Sequence, residues 1–316
     1  MKTKKKLVVL AVFVCLIVIA AVAVVLLNPG TKEKTYNVGI LQFVQHDALD
    51  QATKGFQDTL TAKLGDKVKF DVQNASGDTA NCSTIATTFA SNGVDLIMAN
   101  ATPAVQSAMS ATADIPVVGT SVTVYNFLEG ATNVTGTSDL APLDGQANMI
   151  LELFPDTKTV GILYCSAEAN SVYQVQEVSK YLAALNVDVK EFPFADSNDV
   201  ASVAQMASDE VDVIYIPTDN TAAAYTETIA NVVLPAKVPV VAGESGICSG
   251  CGVATLSISY YDLGCATAEM AYDILVNGTK PADMEIKYAP QFTKMYNAAN
   301  AAELGVTIPE GYTAIE

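Results

Sequence analysis

The residues able to do chemistry in this 316-residue chain stand where apolar runs end. Gln42-Phe43 with Gln45-His46 follows one run, Asn100-Ala101-Thr102 a second and Thr120-Ser121 a third. Farther on, Tyr164-Cys165 with Glu168-Ala169-Asn170-Ser171, then Pro217-Thr218-Asp219-Asn220, then Gly243-Glu244-Ser245 occupy the same kind of position. Hydroxyls and the N–H groups at helix starts hold a carboxylate, and Asp or Glu holds an ammonium, so the set suits a zwitterion. Arg is absent, which leaves Lys, hydroxyls or backbone N–H groups to hold an anionic group. Phe43 and Tyr164, taken as equivalent positions, are expected to sandwich an apolar or aromatic side chain across a cleft.

Each residue type also has a plainer reading. Strand-end Thr, Asp and Asn serve as helix caps, and Phe43 or Tyr164 could equally fill a core. His46, the one histidine, has no accompanying nucleophile motif and reads as a surface or capping residue rather than a catalytic base. Cys248 and Cys251 have the spacing of a redox or metal pair, but no further ligands stand nearby at sensible spacing. A local disulfide or free thiols is therefore expected, and no metal. Cys82, Cys165 and Cys265 read as small buried hydrophobes. Phosphate-binding loops, dinucleotide fingerprints and nucleophile elbows are missing, so neither a cofactor nor catalysis is expected.

The elements that must position these residues are announced by a repeat. Val38-Gly39-Ile40-Leu41 returns as Val160-Gly161-Ile162-Leu163, Val94-Asp95-Leu96-Ile97 as Val211-Asp212-Val213-Ile214, and Ile115-Pro116-Val117-Val118-Gly119 as Val238-Pro239-Val240-Val241-Ala242-Gly243. Three landmarks in one order mean two similar lobes rather than a stack of small modules. In the first half, strands at 36–43, 68–72, 94–99 and 116–119 alternate with helices at 48–64, around 84–89 and from Thr102 onward, where Thr caps and Pro103 tolerates the first helical position. The second half repeats this with strands at 160–164, 187–192, 211–216 and 238–241 and helices at 171–185, 200–208 and 221–233. The expected class is α/β, two doubly wound parallel sheets with ligands beyond the carboxyl ends of the strands. A strand at 254–259 and a helix at 263–276 are read as lying outside the repeat. They suggest that the chain returns to the first lobe near 255 and to the second near 288, giving lobe 1 as 36–138 plus 255–287 and lobe 2 as 139–254 plus 288–316.

Seventeen lysines oppose 34 acidic residues, a formal net charge of −17, which argues against a nucleic-acid partner. Lys2, Lys4, Lys5 and Lys6 precede an apolar run from Leu7 to Leu27, long enough to cross a bilayer with the lysines retained inside. The expectation is an extracytoplasmic protein attached to the membrane by an uncleaved helix within residues 1–30. Ala21-Val22-Ala23 also fits a cleavage site, while Cys15 follows Phe13-Val14 where lipidation wants small residues.

Segments through the chain resemble the ABC-transporter substrate-binding proteins of the tryptophan/tyrosine-type family. They are Gly39 to His46 with Ala48-Leu49-Asp50, Gln73 to Asp78, Ala101-Thr102-Pro103-Ala104, Asn133 to Asp139, Pro217-Thr218-Asp219-Asn220, Tyr260 to Gly264, Lys280 to Asp283, and Leu304 to Glu310. The resemblance covers essentially everything after residue 36. It implies a type I periplasmic-binding-protein fold, capture of an amino acid, aromatic in the better-known members, and delivery to a membrane permease with a cytoplasmic ATPase. By matching position it implies ligand contacts at Thr102, Ser121, Asp139, Asn170, Asp219, Asn220 and Glu244, and replacing Asp219 with Ala is expected to abolish binding without unfolding. The chain departs from the family in its weak lipoprotein signal and in carrying Val124-Tyr125 where Asp-Pro is usual. A ligand-sensing ectodomain with the same lobes is the alternative, and an extracellular enzyme using His46 is a third class.

Overall fold

The computed structural model describes residues 34–315. The expected membrane-spanning run lies outside them, and no described helix is long and apolar enough to cross a membrane. The chain runs β1 (Tyr36–Gln42), α1 (Asp47–Leu64), β2 (Val68–Asn74), α2 (Thr79–Asn92), β3 (Leu96–Asn100), α3 (Thr102–Ala111), β4 (Val117–Val122) and β5 (Val134–Ser138). It continues through α4 (Leu143–Leu153), β6 (Thr159–Cys165), α5 (Ala169–Ala184), β7 (Asp188–Phe194), α6 (Val200–Glu210), β8 (Val213–Ile216), α7 (Asn220–Ala224), α8 (Thr226–Ala236) and β9 (Val240–Ala242). The last elements are α9 (Ser245–Gly250), β10 (Ala254–Ser257), α10 (Tyr260–Tyr272), β11 (Lys287–Tyr288), β12 (Thr293–Tyr296), α11 (Ala298–Leu304) and β13 (Thr313–Ala314).

Two sheets result, ordered β11-β5-β4-β3-β1-β2 and β13-β12-β10-β9-β8-β6-β7. The first five strands of each half pair in parallel, in the relative order 2-1-3-4-5. Strands such as Leu96–Asn100 and Val213–Ile216 are buried along their whole length, which is why they are apolar runs rather than alternating ones. The repeated glycines have a shared cause. A Cβ on Gly39 would come within 2.6 Å of the Phe89 ring, and one on Gly161 within 3.1 Å of the Phe192 ring, so each lobe seats an aromatic directly on its first strand.

Two parts of the repeat escape a hydropathy reading. β5 is Val-Thr-Gly-Thr-Ser, fully buried although mostly polar. Its Thr137 hydroxyl pairs with Thr267 of α10 at 2.8 Å, and Thr135 donates to the Met284 carbonyl. β10 is its counterpart, since each is the fifth strand of its sheet. The strand after Gly252 therefore does belong to the repeat, contrary to the sequence expectation. The helices that follow are exchanged: α4 packs on β9 and β10 of the second sheet, whereas α10 packs on β4 and β5 of the first. The chain leaves the second sheet after Ser257, returns to the first sheet at β11 and to the second at β12, so three connections join the lobes.

The exchanged α10 lies tightly against α1. Gly264 brings its backbone so near that an added Cβ would meet the Ala52 carbonyl oxygen at 2.0 Å, and Gly55 faces the Tyr261 carbonyl oxygen at 2.1 Å. Only glycine permits this approach, and it sets Tyr260, the first residue of α10, over the cleft.

Candidate functional site

The carboxyl ends of both sheets face each other across the cleft, and two chambers lie there. The inner one is lined by His46, Leu49, Ser121, Thr123, Asp139 and Tyr260 from the first lobe and its connections, and by residues including Asn170, Asp219, Asn220 and Glu244 from the second. Its volume is about 10 Å³, room for one water-sized group. The outer chamber, about 790 Å³, includes Phe43, Pro103, Cys165, Ala224 and Tyr225 in its walls.

Local backbone geometry builds the first-lobe wall. β3 and β4 lie in register, Asn100 beside Thr120, and the residue after each of this pair has positive φ, Ala101 just past β3 at 88° and Ser121 near the end of β4 at 56°. Non-glycine residues held there store strain, of order 1–3 kcal/mol each, and such strain gathers at ligand sites. The next residue, Thr102, opens α3, whose start has no side-chain cap. The loop before α1 is anchored from below. Gln42 Nε2 donates to Asp50 at 2.6 Å, Thr53 donates to Gln42 Oε1 at 2.6 Å, and Asn100 Nδ2 donates to the Leu49 carbonyl at 2.9 Å. These bonds hold His46 at the inner chamber.

The second-lobe wall is organised by three carboxyl groups. Glu168 accepts from the backbone N–H and side-chain amide of Asn220 and from the N–H and hydroxyl of Thr221. Asp219 caps α7 through Ala222 N–H at 2.8 Å and also accepts from Cys165 N–H at 2.6 Å and the Ser171 hydroxyl at 2.7 Å. Glu244 caps α9 through the N–H groups of Gly246 and Ile247. Burial, reinforced by the neighbouring Glu168, pushes the Asp219 carboxyl well above its usual range. Burial likewise raises Glu244 to about 7, and it raises Asp139 to about 6 against the hydrogen bond from the Tyr260 hydroxyl. Three carboxyls around one small space that no lysine lines are poised for a cation.

Several buried polar atoms have no hydrogen-bond partner within the protein: His46 Nδ1, Ser121 Oγ, Asp139 Oδ1 and Asn170 Oδ1, all from residues lining the inner chamber, and Thr102 Oγ1 at the start of α3. Leaving such groups unpaired costs about 1–3 kcal/mol each, and native proteins rarely cluster them without a purpose.

Of the nine expected site residues, the structure brings Ser121, Asp139, Asn170, Asp219, Asn220 and Glu244 to the inner chamber and Phe43 to the outer. Thr102 opens α3 next to Pro103 of the outer chamber and is not among the residues that line either chamber. Tyr164 does not join them: it packs in the core of the second lobe with its hydroxyl donating to Glu191 at 2.8 Å. The reason is a one-residue offset. Laid on the repeated tetrapeptide, Phe43 corresponds to Cys165 and Tyr164 to Gln42, and in a strand adjacent residues face opposite sides. Cys165 indeed lines the outer chamber with Phe43.

The inner-chamber contributions of Thr123, Thr218 and Tyr260 are not in the sequence-based set. Tyr260 stands in a motif that carries the family resemblance, so a signal for it existed. Tyr125, at the family's usual Asp-Pro, sits in the first-lobe core with its hydroxyl on the Thr137 carbonyl. Cys248 and Cys251 are buried free thiols.

The three donors on Asp219 alter one expectation. Asp219→Ala strands two backbone N–H groups and a hydroxyl, so it is expected to cost about 1–3 kcal/mol of stability as well as affinity. Urea unfolding checks this, and a midpoint equal to wild type would return Asp219 to a purely ligand-facing role.

Comparison with known proteins gives one consistent answer. Residues 37–314 match the family described as ABC transporter substrate binding protein. A tyrosine-binding protein of Clostridioides difficile (strain R20291) is 35% identical over 253 residues, 77% of this chain and 73% of that protein. The structure of an ABC domain in complex with L-Trp from Streptococcus pneumonia is 36% identical with a TM-score of 0.84, covering 89% of this chain and 100% of that one. A ligand-free, open structure of a substrate binding protein with adhesive properties from Clostridium difficile is 32% identical with a TM-score of 0.67, covering 89% and 99%. Likenesses at 11% and 13% identity share the two-lobed fold alone, that of type I periplasmic-binding proteins. The chain belongs to the family of ABC transporter substrate-binding proteins.

Proposed function

We propose that this protein captures an aromatic amino acid, tryptophan or tyrosine, between its lobes and delivers it to an ABC permease driven by a cytoplasmic ATPase. The observation that carries the reading is the cluster of unpaired buried polar atoms lining one chamber between the lobes. The Ser121 hydroxyl, with Thr102 and the uncapped start of α3 beside it, suits the ligand carboxylate. Asp139 suits its ammonium, with Glu244 and Asp219 supplying further negative potential. The outer chamber then receives the side chain against Phe43, Pro103 and Tyr225. Relatives named for tyrosine and solved with L-Trp support the ligand class.

Closure is part of the reading. His46 reaches Asn220 across the cleft at 3.3 Å and Thr123 reaches Thr218 at 3.5 Å. The likeness to the L-Trp complex, greater than that to the open relative at similar identity, supports a closed arrangement. A ligand contacted from both lobes selects that state, and the closed form is the one expected to dock on the permease. The lobes in this reading are those set out from the sequence, and residues 1–30 hold the protein at the outer face of the membrane.

Titration calorimetry with the common amino acids is the test. Saturable binding is expected for tryptophan or tyrosine, and ligand at about 100 times Kd should add about 2.7 kcal/mol to the unfolding free energy. If aromatic and aliphatic amino acids all fail to bind, the ligand assignment falls.

A further inference from the structure

His46 precedes α1 on the first lobe, and its Nε2 lies 3.3 Å from Asn220 Oδ1 on the second. The other end of that amide fixes the direction of the bond. Asn220 Nδ2 donates to Glu168 Oε2 at 2.6 Å. A carboxylate takes donors only, so the amide oxygen faces the ring and Nε2 carries the hydrogen. Burial holds the His46 pKa below its ordinary value despite the opposing influence of Asn220, Glu168, Asp50 and Asp47. The neutral ring then presents Nδ1 as a bare acceptor, buried and without a partner in the protein.

Asp139 Oδ1 and Asn170 Oδ1 are in the same condition. The Asn170 amide is oriented as securely, because its Nδ2 donates to Glu168 at 3.1 Å and to the Thr218 carbonyl at 3.0 Å. The three residues line one water-sized chamber. Three acceptors around so small a space call for a single group with three donors. Water offers two and a hydroxyl one, whereas a primary ammonium offers three and brings the charge that the surrounding carboxyls want.

We propose that His46 Nδ1, Asp139 Oδ1 and Asn170 Oδ1 together receive the three N–H bonds of a primary ammonium, with His46 also tying its capture to closure through Nε2–H and Asn220. This deepens the amino-acid reading and rests on it. His46 belongs to the first lobe, Asp139 to the connection that directly follows β5, and Asn170 to the second lobe, so the ammonium bridges the lobes. The site therefore selects primary amines against N-methylated and α-hydroxy analogues.

Because His46 is the chain's one histidine, nitrogen-15 NMR of histidine-labelled protein free of affinity histidines reads its ring directly. The expected spectrum has hydrogen on Nε2 and a bare Nδ1 that moves toward the hydrogen-bonded position when L-tryptophan is added. A ring with its hydrogen on Nδ1 overturns the proposal, as does an Nδ1 signal that ignores bound tryptophan. Calorimetry supplies the second arm, comparing L-tryptophan with Nα-methyl-L-tryptophan and indole-3-lactate on wild type and His46→Phe. The preference for the primary amine should shrink by about tenfold in His46→Phe, and an undiminished preference overturns the assignment of His46 while leaving amino-acid binding intact. Failure of wild type to bind any amino acid overturns the amino-acid reading itself.

Discussion

Asp139→Asn is expected to weaken amino-acid binding by roughly a hundredfold or more while leaving the ligand-free protein as stable as wild type or slightly more so. The two halves of that result have one cause. Asp139 follows β5, is 5% exposed, and accepts the Tyr260 hydroxyl on Oδ2 at 3.0 Å, with the Thr123 hydroxyl also favouring its ionised form. Burial without a cation raises its pKa to about 6, so ionised Asp139 is a liability to the empty fold. Asn keeps the shape and an oxygen for Tyr260 but removes the charge, which relieves the empty fold and deprives a ligand ammonium of its charged acceptor. Calorimetry and thermal unfolding on the same preparation read both effects. Unchanged affinity would remove Asp139 from the site, and a large loss of stability would make its role structural.

The second large effect is a pair of opposite pH dependences. The carboxyls of Asp139 and Glu244 have folded pKa values of about 6 and about 7 against ordinary values of 3.8 and 4.5. The folded protein therefore holds protons on these groups that the unfolded chain has already released between about pH 4 and pH 7. Stability follows the difference in bound protons, so their contribution falls as pH rises through that window and is lowest above it. A bound ammonium reverses the preference, because it favours the ionised carboxylates and drives their protons off. Affinity should thus rise as pH rises through the same range, with proton release on binding. Thermal unfolding of the ligand-free protein from pH 5 to pH 7.5, compared with the ligand-induced increase at each pH, should show the first declining relative to Asp139→Asn and the second growing. A ligand-induced increase that is flat or shrinking across this range would mean that no cation meets these carboxyls.

These expectations place affinity and stability in opposition within one chamber. The inner wall is kept deficient: carboxyls lack a cation, acceptors lack donors, and Ala101 and Ser121 hold positive φ. The rest of the lobes compensates with close-packed sheets and with the glycine-mediated contact of α1 and α10 that carries Tyr260 to the site. Functional sites commonly break the local rules that the remainder of a fold obeys.

The sequence by itself determined the duplication and its meaning. The repeated Val-Gly-Ile-Leu stretches, the uniformly apolar strands and the polar residues at their ends are local properties, and both lobes, their parallel sheets and most of the chamber residues follow from them. The motif resemblance brought Asp139, which no hydropathy pattern marks. What tertiary structure decided are matters of face and partner. Tyr164 and Cys165 differ by one step along β6, and that step separates lobe core from cleft. β5 is polar because its threonines meet α10, an element more than a hundred residues away, so its burial cannot be read from its own composition. Asp219 and His46 show the limit most directly: one is saturated by neighbours distant in sequence, and the other is left with a bare nitrogen by an amide on the opposite lobe. Residue type sets what a group can bind, but the number of its bonds already taken is set only when the chain is folded.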